Sequence, residues 1–124
     1  MVCQNCQQVI EQLNIDIDLF FQKLETASNR RQISEIDKEI ICQSLLGHSR
    51  QHIAKIFNLS DQQIRDRLSN NIYPRIAELM QIDQEQIAGK WVKLLNLLLH
   101  PNNGYKLQTA PQLNNDNFQG SFGR

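Results

Sequence analysis

With 124 residues, 40% of them hydrophobic, the chain can bury one modest core, and a multidomain enzyme is not expected. Thirteen Lys and Arg balance thirteen Asp and Glu, which argues against a strong nonspecific nucleic-acid binder, whose affinity comes from neutralising phosphates. No run of roughly 18 apolar residues and no basic region leading into an apolar stretch is present, so the expectation is a cytoplasmic protein without a membrane span or signal peptide.

From about Gln7 to Glu25, Val9, Leu13, Ile17, Phe20 and Leu24 recur at helical spacing and predict a first long helix. The polar run Thr26 to Gln32 reads as a connector. Ser34 caps a second helix whose first turn carries Glu35 and Asp37, favoured there by the helix dipole. That helix runs to Leu46 and stops at Gly47, which can take the left-handed C-terminal conformation.

Ser49 caps the next helix, to about Phe57, Asn58 occupies a tight turn, and Ser60 caps the one after. Ile53, Ala54, Phe57, Leu59, Ile64 and Leu68 have the spacing of the inner faces of two short crossed helices. Pro74 lacks an N–H and clashes with the carbonyl of Asn70, predicting a break or kink near Asn70-Asn71 before a short helix with Ile72, Ile76, Leu79 and Met80. Asp83 and Gln86 read as a capping box opening a helix through Ile87, Trp91, Leu94, Leu95, Leu98 and Leu99, closed by His100-Pro101. Beyond Asn102, a composition of Asn, Gln, Gly and Pro with isolated Tyr105, Leu107, Leu113, Phe118 and Phe122 predicts an extended arm.

The segment from Ile33 resembles the LuxR-type helix-turn-helix and, more distantly, region 4 of sigma factors. The residues that carry the resemblance are Ile33 to Ile40 for the opening helix, Gly47-His48-Ser49 with Ile53-Ala54 for the second, and Leu59-Ser60, Ile64-Arg65 and Asn71-Ile72-Tyr73 for the turn and recognition helix. The resemblance implies a four-helix DNA-binding fold whose third helix reads bases and whose fourth often contributes to dimers. An extra Asn in Asn70-Asn71 and the break expected at Pro74 depart from it where the family's recognition helix runs on. Along the whole chain, the order of this unit, Ala88-Gly89-Lys90-Trp91-Val92, Asn102-Asn103-Gly104-Tyr105 and Pro111-Gln112-Leu113-Asn114 looks like the N-terminal module of large cyanobacterial multidomain signalling proteins.

The outward positions of the recognition helix are Gln62, Gln63, Asp66, Ser69 and Asn70, flanked by Arg65 and Arg67. Gln and Asn can pair bidentately with adenine, and Arg with guanine or phosphate. Gln62, Gln63, Arg65, Arg67 and Asn70 are therefore assigned to bases, and Arg50, Lys55, Ser60 and Arg75 to phosphates. Residues 50–75 carry five of the basic side chains against Asp61 and Asp66, so the weak positive patch coincides with the motif.

Three cysteines, an odd number, fit reduced thiols better than a disulfide framework. Cys3 and Cys6 have the spacing of half a zinc site, but no second pair follows, and His48 with His52 lacks a carboxylate partner. Free thiols and surface or phosphate-contacting histidines are the expectation. No metal, cofactor or catalytic constellation is expected, so the chain is not read as an enzyme.

The sequence reading is an all-α fold of four to six helices around a LuxR-like helix-turn-helix with an irregular C-terminal arm. Residues 1–32 form an N-terminal helix and connector, 33–100 the helix-turn-helix domain with an added helix, and 101–124 the arm or linker. The function expected is sequence-specific binding of double-stranded DNA in transcriptional regulation, as a homodimer joined through Leu13, Phe20, Leu24, Trp91, Leu94 and Leu98. The alternative is a protein-interaction or oligomerisation module that uses the helix-turn-helix as scaffold, N-terminal to a larger signalling protein.

Overall fold

A computed structural model describes residues 4–27 and 32–107. Among them the protein is all-α, with α1 (Gln4–Gln8), α2 (Ile17–Ala27), α3 (Glu35–Leu45), α4 (Arg50–Phe57), α5 (Asp61–Arg67), α6 (Tyr73–Met80) and α7 (Trp91–Leu99). π-Helical turns extend α1 over Val9–Leu13 and join α5 to α6 over Leu68–Ile72, so α5 and α6 form one continuous rod.

Local chemistry sets most boundaries. Ser34, Ser49 and Ser60 each sit in extended backbone and accept the N–H three residues on, from Asp37, His52 and Gln63. Gly47 (φ 95°) and Asn58 (φ 55°) take the left-handed conformation at the two helix ends where it is required.

Three boundaries differ from the sequence reading. The helix predicted over residues 7–25 is broken at Asn14, which is left-handed (φ 61°), and restarts after Asp16, whose carboxylate accepts the Leu19 N–H at 3.2 Å. At Pro74 the chain neither breaks nor leaves the right-handed helical region. The Tyr73 N–H reaches back five residues to the Leu68 carbonyl, and this wider turn takes the proline at the first turn of α6, where its missing N–H costs no ladder bond. The capping box predicted at Asp83 and Gln86 does not form. Asp83 makes no side-chain cap, residues Gln84–Gln86 make a single 3₁₀ turn, and Gly89 at φ 72° ends it before α7 begins.

α3 lies at the centre, touching α1, α4 and α7, while α2 packs on α6 and α4 on α5. One core runs through all of them, with Phe20, Leu24, Ile40, Ile53, Ile64, Ile76 and Leu98 essentially inaccessible. Cys6 on α1 and Cys42 on α3 are joined in a disulfide, their Cα atoms 5.3 Å apart, which corrects the expectation of reduced thiols at these two positions. The odd count misleads because it says nothing about which two cysteines the packing of α1 on α3 brings within bonding range. Cys3 lies outside the described residues.

The first part of the expected arm is anchored. Tyr105 is buried with its ring edge-on to Phe20, and Lys106 forms an isolated antiparallel bridge with Ile15. Asp16 and Leu107 donate their N–H groups to the carbonyls of Tyr105 and Asn14 at 2.7 and 2.9 Å. Leu113, Phe118 and Phe122, and the Pro111-to-Asn114 stretch, fall outside the described residues.

Candidate nucleic-acid interface

α4 and α5 are joined by the three residues Asn58-Leu59-Ser60. Ile53, Ala54, Ile64 and Leu68 are buried between them and α3, and Phe57 and Leu59 pack partly against the same core. The opposite face of α5 is open to solvent, and the head groups there are not equally available.

Ser60 and Gln63 close a capping box on each other. The Gln63 N–H donates to Ser60 Oγ at 3.0 Å, and Gln63 Oε1 accepts the Ser60 N–H at 2.8 Å. Gln62 donates to Asp66 Oδ1 at 2.8 Å, one turn along. Arg67 points back into the protein and pairs at 3.0 Å with Asp37 of α3, a side chain only 8% exposed. Arg50 pairs with Asp61 across the turn at 2.7 Å. Arg75, on α6, donates to the Gln32 carbonyl at 3.3 Å.

Of the nine residues assigned to DNA, Arg65, Asn70 and Lys55 remain exposed with side chains that make no hydrogen bond or ion pair to another described residue. Gln63, Arg67 and Asn70 line one shallow depression, together with Leu59, Asp66 and Asn71. Asn71, Asp66 and Leu59 in the depression, and the carboxylates of Asp37 and Asp61 that hold Arg67 and Arg50, are residues that the sequence assignment leaves out of this site. For Asn71 the signal is that one Asn of Asn70-Asn71 exceeds the resembled pattern, although the sequence does not say which of the two. Asp37 carries none, since its partner lies thirty residues away.

The six residues assigned to a dimer contact separate by burial. Phe20, Leu24, Leu94 and Leu98 are at most 1% exposed within a single chain and cannot reach a second copy, which corrects their assignment. They serve the intramolecular core because α2 packs on α6 and α7 on α3. Leu13 and Trp91 are partly exposed, and the largest exposed apolar side chains are Val92 on α7 and Ile56 on α4.

His48 and His52 stack edge to face with ring centres 5.0 Å apart, and His48 Nδ1 lies 3.3 Å from Gln43 Oε1. Among the described residues no group of three His, Cys, Asp or Glu side chains could hold a metal ion, and no helix is long and apolar enough to cross a membrane. The chain matches no protein-family model, no curated protein and no solved structure.

Proposed function

We propose that this protein binds double-stranded DNA in transcriptional control, presenting α5 and the π turn that follows it to the major groove. The observation that carries this reading is the α4–turn–α5 unit itself: Ile53, Ala54, Ile64 and Leu68 of its inner face are buried in the core, while the Arg65 side chain projects from the outer face without an internal partner. A second helix packed across a first and exposed on its far side is the arrangement that places side chains against base edges. Lys55 and the Ser60 hydroxyl, whose proton is free to donate although its oxygen caps α5, stand toward phosphates. Arg50 and Arg67 contribute little charge, because each is paired with a carboxylate. The resemblance of residues 33–73 to LuxR-type domains supports the same reading.

Fluorescence anisotropy with duplex DNA across a salt series tests it. Binding is expected to weaken as salt rises, with a slope that becomes shallower by about 1 in Lys55→Ala if that lysine meets a phosphate. Arg65→Ala is expected to weaken binding as well. Absence of any salt-dependent binding by the unaltered chain would overturn the proposal.

A protein-interaction module is the second reading, favoured by one observation. Val92 is 73% exposed on α7, and Leu95 and Leu99, at helical spacing from it, are partly exposed, which makes an apolar stripe that gains by being covered. Under this reading Val92→Asp abolishes association with a partner or a second copy and leaves DNA binding as it was.

A further inference from the structure

We infer that the π turn at Leu68–Ile72 makes Asn70 and Asn71 a paired amide reader of A·T base pairs in the major groove; this rests on the DNA-binding reading above. Seven residues make nearly two turns of an α-helix, so in an unbroken α-helix Asn71 would lie within about 20° of Ile64, on the buried face. Ile64 is indeed fully buried, as are Leu68 and Ile72, yet Asn71 is exposed. The extra residue held by the π turn, closed by the Tyr73 N–H on the Leu68 carbonyl, moves Asn71 out beside Asn70.

Both amides then line the depression bordered by Gln63, Asp66 and Arg67. The neighbouring polar head groups are committed elsewhere: Gln63 to the cap, Gln62 to Asp66, and Arg67 to Asp37. Neither the Asn70 nor the Asn71 side chain hydrogen-bonds to another described residue. Two adjacent asparagines are poor helix formers that here gain no internal bond in return. A carboxamide can offer a donor and an acceptor together, and adenine presents the complementary pair, N7 and the N6 amino group, in the major groove.

The test selects sites from random duplex DNA with the whole chain, then measures anisotropy on the selected duplex. An A·T pair should be enriched, and replacing it with G·C or its adenine with 7-deazaadenine should weaken binding roughly 5- to 150-fold, the range of a good bidentate contact. Asn70→Ala and Asn71→Ala should bind the original and altered duplexes with nearly equal affinity and keep the unaltered chain's salt slope, because no phosphate contact is lost. The 7-deazaadenine measurement uses the unaltered chain, so it decides the matter even where a variant folds poorly. Salt-dependent duplex binding without sensitivity to 7-deazaadenine at any adenine of the site would overturn the amide reader and leave DNA binding standing. No duplex binding at all would overturn both.

Discussion

Arg67 shows how a residue's obvious use can be pre-empted by a neighbour. Its guanidinium would suit a phosphate, but Asp37, almost wholly buried in the first turn of α3, needs a countercharge, and Arg67 supplies it at 3.0 Å. The two partners are unequal. Arg67 is a third exposed and can turn to water if Asp37 is lost, whereas the carboxylate left by Arg67→Ala stays buried and unpaired. Arg67→Ala is therefore expected to cost about 1–3 kcal/mol in urea denaturation, and Asp37→Asn less than that. Equal losses would show that the pair is held by packing rather than by charge.

Tyr105 gives a residue-scale prediction for pH. Burial raises its phenol above the ordinary value, because the folded chain disfavours the phenolate. The folded state therefore holds the proton more tightly than the unfolded state, and stability falls as pH rises past about 10. Below that pH the contribution is fully present. In Tyr105→Phe this part of the alkaline decline should vanish, which thermal melts of both proteins on either side of pH 10 would detect.

At the scale of elements, legibility follows the range of the determining interaction. Ser34, Ser49, Ser60, Gly47 and Asn58 act on backbone within a few residues of themselves, and each stands in the structure where its side chain or conformational freedom implies. Ser60→Ala should accordingly cost about 1 kcal/mol, read as a lower melting temperature, since it removes the hydroxyl half of the α5 capping box. One failure occurs where a distant group decides. α1 and α2 separate at Asn14 although the apolar spacing continues, because residues 14–16 pair with 105–107, some ninety positions away. Pro74 rightly signals trouble, but a sequence does not state whether the chain answers by breaking or by widening one turn. The widening is what exposes Asn71, so the least legible local feature governs the face of greatest functional interest.

At the scale of the molecule, two ties add to the packing of α1 on α3 and α2 on α6: the Cys6–Cys42 disulfide and the pairing of residues 14–16 with 105–107. Closing a loop across a separation of 36 residues restricts the unfolded chain by about 3–4 kcal/mol in the chain-entropy model. Reductant should therefore lower the melting temperature of the unaltered chain and leave a Cys6→Ala, Cys42→Ala double variant unmoved. The apolar breadth of α7 has a similar whole-molecule explanation. On the sequence, Leu94 and Leu98 are equally compatible with a dimer seam and with a core, since helical spacing records that a face is covered and not by what. Here α3 of the same chain covers it, and both side chains are inaccessible. Leu98→Ala should then cost about 2–5 kcal/mol through the cavity it leaves. The loss belongs to a single chain, so it should be the same at low and high protein concentration, with the light-scattering mass unchanged. A loss that grows on dilution would place Leu98 in a contact between copies instead.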